Sequence, residues 1–301
     1  MDLDLPKEIF EVLDRLVMNP IVKSHDIYGG RHNSPKFGSN PDFKEYRNYQ
    51  NGESSKDIDW KVSLKTGKYL VRKREHQAKI DNWIIADGSG SMAFPLKGRS
   101  KYLYQLMLTG VLVHLLKGQG DSTGLIIEHK HKPFFLTPQK TLSGITELLS
   151  KLCHFKPSEL SNYGNSILNI RKRQFRPCVF WFITDFDNEP SKFIKDIKSL
   201  KDEGHDVRVI HLYHKEEKEL AWRGECLFSD IENEIEAAKL RPELLQKEYL
   251  EIYLKHCDEI KNSIRDYEIP YHYFNIDGQL EEQIIQLLYG VKNIDLKETN
   301  P

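Results

Sequence analysis

Residues 80–92, Ile80-Asp81-Asn82-Trp83-Ile84-Ile85-Ala86-Asp87-Gly88-Ser89-Gly90-Ser91-Met92, decide how this chain reads. A short apolar run ends in an acidic residue, and two hydroxyls come next at alternate positions with glycines between them. A run of that length and composition predicts a buried strand. Its carboxyl end opens into an Asp-x-Ser-x-Ser loop. A hard divalent cation takes oxygen ligands in near-octahedral geometry. Alternate residues of a tight, glycine-containing loop can aim several oxygens at one point. The loop therefore reads as the first part of a site for magnesium or manganese.

Outward from this stretch, strand and helix patterns alternate. Strands are expected at 80–86, 122–128, 178–184, 206–213 and 271–276, with a short extra one at 133–136. Helices are expected at 100–117, 141–152, 163–173, 190–202 and 279–289. This order predicts an α/β, doubly wound, mostly parallel sheet with helices on both faces. A charged, helix-rich segment at 215–265, with its best helix at 243–264, reads as an insertion before the last strand.

Upstream, Leu5, Ile9, Val12, Leu13, Leu16 and Val17 have the spacing of an amphipathic helix over 5–18. Residues 28–55 carry turn chemistry: Gly29-Gly30, Asn33-Ser34-Pro35, Gly38-Ser39-Asn40-Pro41 and Asn51-Gly52. Ile58-Asp59-Trp60-Lys61-Val62 and Lys68-Tyr69-Leu70-Val71-Arg72 then alternate as two strands of a small β-rich element. Within it Asp59 and Trp60 are expected to anchor the element to the core. A buried indole there would make Trp60→Ala cost about 3–5 kcal/mol. The expected organisation is an N-terminal segment at 1–77, the α/β domain at 78–292 and a tail at 293–301.

Composition narrows the function classes. With 301 residues and a formal net charge of -1, the chain offers no bulk electrostatic attraction to nucleic acid. Cys153, Cys178, Cys226 and Cys257 are too far apart for zinc-ligand or redox spacing, and Cys178 reads as a small core residue. The acidic start Met1-Asp2-Leu3-Asp4-Leu5 is unlike a secretory signal, and no apolar run approaches the roughly 20 residues of a membrane span. The expected location is the cytoplasm.

In an open parallel sheet, ligands gather beyond the carboxyl ends of the strands. Three loops there carry suitable oxygens. The first holds Asp87, Ser89 and Ser91. The second, before the 163–173 helix, holds Ser161, with Asn162 and Ser166 as alternatives. The third, Ile183-Thr184-Asp185-Phe186, holds Asp185. The hydroxyls of Ser89, Ser91 and Ser161 would bind the ion directly, and Asp87 and Asp185 directly or through water. Neutral oxygens bound directly to a cation leave it electrophilic. An Asp or Glu of a protein partner can then complete the coordination, which is the physics of an adhesion site. The plain structural reading of the same residues is a turn and a helix cap, for which Ser161 is well suited.

Asp-x-Ser-x-Ser-Met followed by Thr184-Asp185-Phe186 resembles the metal-ion-dependent adhesion site of von Willebrand factor A domains. The resemblance is closer to the bacterial family called domain of unknown function 58. It is carried by Phe43-Lys44-Glu45-Tyr46-Arg47-Asn48-Tyr49-Gln50-Asn51-Gly52-Glu53, Ile58-Asp59-Trp60, Gly204-His205-Asp206-Val207 and Leu227-Phe228-Ser229-Asp230. It implies a von Willebrand factor A-like (Rossmann-like) fold and a non-catalytic interaction module. Two departures are Ser161, where the family usually has Thr, and Glu53-Ser54, where it has an acidic pair. Members are often encoded beside MoxR-type AAA+ ATPases, so the resemblance implies joint action with such an ATPase in protein maturation or complex assembly.

The competing function is a magnesium-dependent phosphohydrolase. Phe182-Ile183-Thr184-Asp185-Phe186-Asp187 is an apolar strand ending in Asp-x-Asp, which would make Asp185 the nucleophile and Asp187 the acid/base. The expected Thr two residues after Asp187 is missing, and no companion lysine is identifiable by motif. Neither a phosphate-binding Gly-x-x-x-x-Gly-Lys loop nor a Gly-x-Ser-x-Gly elbow is present. His114 reads as a helical residue, His129 and His131 as a solvated loop, and His211 and His214 as strand residues with satisfied nitrogens.

Overall fold

The central strand β3 (Asp81–Asp87) is buried from Asn82 onward, as expected of a strand covered on both faces by helices. A computed structural model describes residues 42–50, 58–75, 80–95, 98–129, 133–141, 143–158, 163–173, 176–186, 190–229 and 237–289. The helix expected over 5–18 and the tail at 293–301 lie outside them. The described residues form two units, divided between Lys79 and Ile80.

The first unit holds β1 (Asp42–Asn48), α1 (Trp60–Thr66) and β2 (Leu70–Glu75), with β1 antiparallel to β2 and Ile58 bridging to Val71. The second strand expected here is thus present as β2. The strand expected at 58–62 is instead the start of α1. Asp59 caps α1: Oδ1 accepts from the Val62 N–H at 3.3 Å, and Oδ2 accepts from the Tyr46 hydroxyl at 3.0 Å. Gly67 ends it in the left-handed region at φ 68°, where glycine carries no Cβ penalty.

Once the chain turns helical at Trp60, an every-second-residue pattern no longer selects the buried face. Ser63 points inward and its Oγ accepts from the Leu70 N–H at 2.9 Å. Trp60 and Leu64, four residues apart, stay out at 53% and 83% exposure. The expectation of a buried Trp60 is corrected accordingly. Its ring meets the edge of Tyr69, at 6.2 Å between centroids.

The second unit is the α/β domain. Its elements run β3, a 3₁₀ turn (Gly90–Ala93), α2 (Lys101–Gly118), β4 (Ser122–Glu128), β5 (Phe134–Gln139), α3 (Ser143–Leu152), α4 (Tyr163–Arg171), β6 (Val179–Thr184), α5 (Pro190–Asp202) and β7 (Asp206–Tyr213). Then come α6 (Lys215–Glu219), β8 (Cys226–Ser229), β9 (Ala237–Leu240), α7 (Pro242–Arg265), β10 (Tyr271–Asn275) and α8 (Leu280–Tyr289).

Six strands lie in the order β10-β7-β6-β3-β4-β5, all parallel to their neighbours except β5, which runs antiparallel to β4. This is the doubly wound, mostly parallel sheet that the sequence pattern predicts. The segment before β10 is not purely helical: β8 and β9 form an antiparallel hairpin between α6 and α7.

Trp83, Ile85, Ile126, Phe180, Phe182, Val207 and Val209 form a core with Ile167 and Ile170 of α4, Phe193 and Ile197 of α5, and Ile260 and Ile264 of α7. Cys178 joins it as a 2% exposed residue. The helix α2 is buried around most of its circumference, from Tyr102 and Tyr104 to Val113 and Leu116.

The chain leaves β3 toward β4 and β5 on one side and returns at β6 on the other. The crevice beyond the carboxyl ends of β3 and β6 is therefore the topological switch point, where ligands of open α/β sheets bind.

In the first unit, Asp59→Ala should cost about 1 kcal/mol through loss of the cap. Trp60→Ala should cost less than about 1.5 kcal/mol, because half of the side chain is already in water. Urea unfolding of each variant checks this. A loss of about 3 kcal/mol at Trp60 with none at Asp59 would restore the indole as the keystone.

Candidate metal centre

Asp87 is the best-fastened residue at the switch point. Its backbone is clamped by Gln105 of α2: the Asp87 N–H donates to Oε1 at 2.9 Å, and Nε2 donates back to the Asp87 carbonyl at 2.6 Å. Its Oδ1 accepts from the Ser89 N–H at 2.9 Å. Its Oδ2 accepts from the Thr184 hydroxyl at 2.9 Å and from the Tyr163 hydroxyl at 2.7 Å. Three segments thus converge on one carboxylate: the β3 loop, the end of β6 and the start of α4. Burial and the Asp87 charge hold the Tyr163 phenol well above its usual pKa, so it remains a donor.

The two loop hydroxyls are brought together. Ser89 Oγ and Ser91 Oγ are 3.0 Å apart, and both residues are buried. Gly88 makes the turn possible. A Cβ there would sit 2.2 Å from the Glu128 carbonyl oxygen, so only glycine lets the loop lean against the end of β4.

Asp185 is placed differently from the expectation of a carboxylate available to the ion. Its Oδ2 lies 2.7 Å from Lys101 Nζ, and the same ammonium lies 2.9 Å from Glu217 Oε1. Lys101 is fully buried at the start of α2, so this is an internal ion pair joining the third loop to α6. The next residue, Phe186, holds φ 61° with its ring buried against Phe193 and His211. Its N–H donates to the Thr184 hydroxyl at 3.2 Å.

Burial pushes the His211 imidazole down to about 3 despite the nearby Asp185 charge, and its Nδ1 meets the Tyr271 hydroxyl at 2.6 Å. His214 falls just beyond β7. It caps α6, with Nδ1 accepting from the Glu216 N–H at 3.2 Å, rather than completing the strand.

Ser161 and Asn162 lie outside the described residues, as do His131 and the second carboxylate of the phosphohydrolase reading, Asp187. Ser166, the third alternative for the second loop, is fully buried on α4. Beside it stands Glu128, which the motif reading missed. Glu128 ends β4, pairs with Asp87 across the ladder and is 1% exposed. Burial pushes its carboxyl up to about 8, with the Asp87 charge adding to the rise and Ser166 opposing it.

The candidate ligand atoms of Asp87, Ser89 and Ser91 are all oxygen, which suits a hard divalent cation rather than a soft one. Among the described residues no group of three or more His, Cys, Asp and Glu side chains forms a metal cluster, so such an ion would rely on the serine hydroxyls.

An acidic loop carrying two hydroxyls at the switch point of a mostly parallel sheet is the arrangement of a von Willebrand factor A-like domain. The chain belongs to the family described as protein of unknown function DUF58, whose match spans residues 45–256. No curated protein matches the sequence.

Among solved structures, the conserved hypothetical protein BatB from Bacteroides thetaiotaomicron shares 16% identity over 69% of this chain and 98% of its own, at a TM-score of 0.45. An aerotolerance-related membrane protein from Bacteroides fragilis shares 18% over 70% and 99%, at 0.45. The VWA domain of SpRpn10 shares 12% over 71% and 100%, at 0.41. Among the described residues of the present chain, no helix is long and apolar enough to cross a membrane.

Removing one partner of a buried ion pair leaves an uncompensated charge. Lys101→Met should therefore lower unfolding stability by about 3–5 kcal/mol, through the stranded Asp185. A loss below about 1 kcal/mol in denaturant unfolding would show that the ammonium does not hold Asp185.

Proposed function

We propose that this chain is a non-catalytic, divalent-metal-dependent protein-interaction module. Magnesium or manganese would be held by Asp87, Ser89 and Ser91, with Ser161 from the second loop and Asp185 from the third, the last through water while it stays paired with Lys101. An Asp or Glu carboxylate of a protein partner would complete the coordination. The observation that carries this reading is the Ser89–Ser91 hydroxyl pair, 3.0 Å apart beside a carboxylate fixed from three segments.

When bound, the ion supplies electrophilic attraction for an external carboxylate. The chain's own residues orient the oxygens and keep water out. Lys101 beside Asp185 supplies the companion lysine that the motif did not show, but the burial of Asp185 argues against its use as a phosphoryl nucleophile, which must meet its substrate. Joint action with a MoxR-type AAA+ ATPase, in protein maturation or complex assembly in the cytoplasm, is the part of the proposal that rests on family resemblance.

The test is binding of the purified chain to a MoxR-type ATPase, measured by interferometry in magnesium and in EDTA. Binding should weaken at least about tenfold on chelation and equally in Ser89→Ala, a difference of roughly 1.4 kcal/mol. Binding indifferent to metal contradicts the proposal. So does magnesium-dependent hydrolysis of a phosphate ester that Asp185→Ala abolishes.

A further inference from the structure

The strands β3 and β4 are in parallel register, with Trp83 opposite Gly124, Ile85 opposite Ile126 and Asp87 opposite Glu128. Side chains alternate between faces along a strand. Asp87 and Glu128 therefore fall on the face that carries Trp83, Ile85 and Ile126 of the core beneath α4 and α5. At that edge the core gives way to polar groups: Asp87, Glu128, Ser166, Tyr163 and Thr184, all five buried or partly so.

Glu128 differs from the others. Among the described residues neither of its carboxylate oxygens has a hydrogen-bond partner, it makes no ion pair, and it is 1% exposed. The Ser166 hydroxyl stands beside it, near enough to oppose the rise of its pKa but short of a completed hydrogen bond. The loop bearing Ser89 and Ser91 packs directly on the Glu128 backbone, because Gly88 admits the Glu128 carbonyl where a Cβ would clash at 2.2 Å. A buried carboxyl group without a partner, next to a second carboxylate, is a costly arrangement that a cation relieves.

We infer that Glu128 is a carboxylate of the cation site, facing the ion together with Asp87. The inference rests on the metal reading of the Asp87 loop and deepens it. Lys101 already balances Asp185. The negative charge presented to the ion therefore comes from Asp87 and Glu128, with neutral hydroxyls around them. A site with two carboxylates holds a hard divalent cation before any partner arrives. The partner's carboxylate then selects the loaded form rather than creating it.

The experiment is titration of the metal-free full chain with manganese, read by the electron paramagnetic resonance signal of the free ion. The wild-type chain should bind one manganese without a partner. Glu128→Gln should bind it about 10–100-fold more weakly, the range typical of disturbed residues around metal ligands. Glu128→Asp should recover part of the loss.

Asp121→Asn removes a buried carboxylate that lies just before the opposite end of β4 and accepts from the Ile80 N–H at 3.1 Å. It should bind manganese as the wild type does. Thermal melting in EDTA guards against misfolding, since Glu128→Gln should melt no lower than wild type when the ion is absent. Should Glu128→Gln melt lower, the affinity of Glu128→Asp decides instead. Unchanged manganese affinity in the deciding variant, with loss in Asp87→Ala, overturns the role of Glu128 and leaves the metal reading standing. No manganese binding by the wild type overturns both.

Discussion

The clamp on Asp87 is the constraint around which the rest of the domain is arranged. Strand β3 ends at the middle of the sheet, and its last carboxylate is held by the Ser89 amide, the Thr184 hydroxyl and the Tyr163 hydroxyl while Gln105 grips the backbone. Each contact comes from a different part of the chain. The two directions of winding that meet between β3 and β6 bring them to one place. A carboxylate that accepts from so many donors is fixed in orientation.

The charges of the crevice are divided between its two sides. Lys101 sits between Asp185 and Glu217, so one ammonium ties the loop after β6 to the helix that opens the inserted segment. Buried pairs of this kind add little net stability but are hard to rearrange. The opposite side is held differently: Glu128 and Asp87 lie side by side on neighbouring strands. The internal ammonium is set against Asp185, while two further carboxyl groups, Asp87 and Glu128, end the neighbouring strands β3 and β4.

Much of the domain was legible because its central strands are continuous apolar runs and helices such as α5 are strongly periodic. Strands at 122–128 and 206–213 and the helix at 190–202 fall where the pattern put them. The β8–β9 hairpin escaped notice because its strands are only four residues each, within a charged segment.

The first unit misled for a clear reason. Ile58, Trp60 and Val62 alternate like a strand, but Asp59 within the run and Gly67 after it are an N-cap and a C-cap. Caps outweighed alternation over so short a stretch. In the site, Asp87, Ser89 and Ser91 could be read from one motif because they are local. Glu128, Lys101 and Gln105 could not. A polar residue at a strand end or in a helix reads as solvated, and only strand register and helix packing reveal that these three are buried beside Asp87 or Asp185.

A crystal of the full chain grown with manganese, with an anomalous difference map at the metal edge, tests the central claim most directly. The account predicts one strong peak bounded by Asp87 and the Ser89 and Ser91 hydroxyls, at oxygen distances near those of a small hard cation, about 2.0–2.2 Å. An empty crevice in crystals soaked at saturating manganese, or a peak only at surface carboxylates, would contradict it.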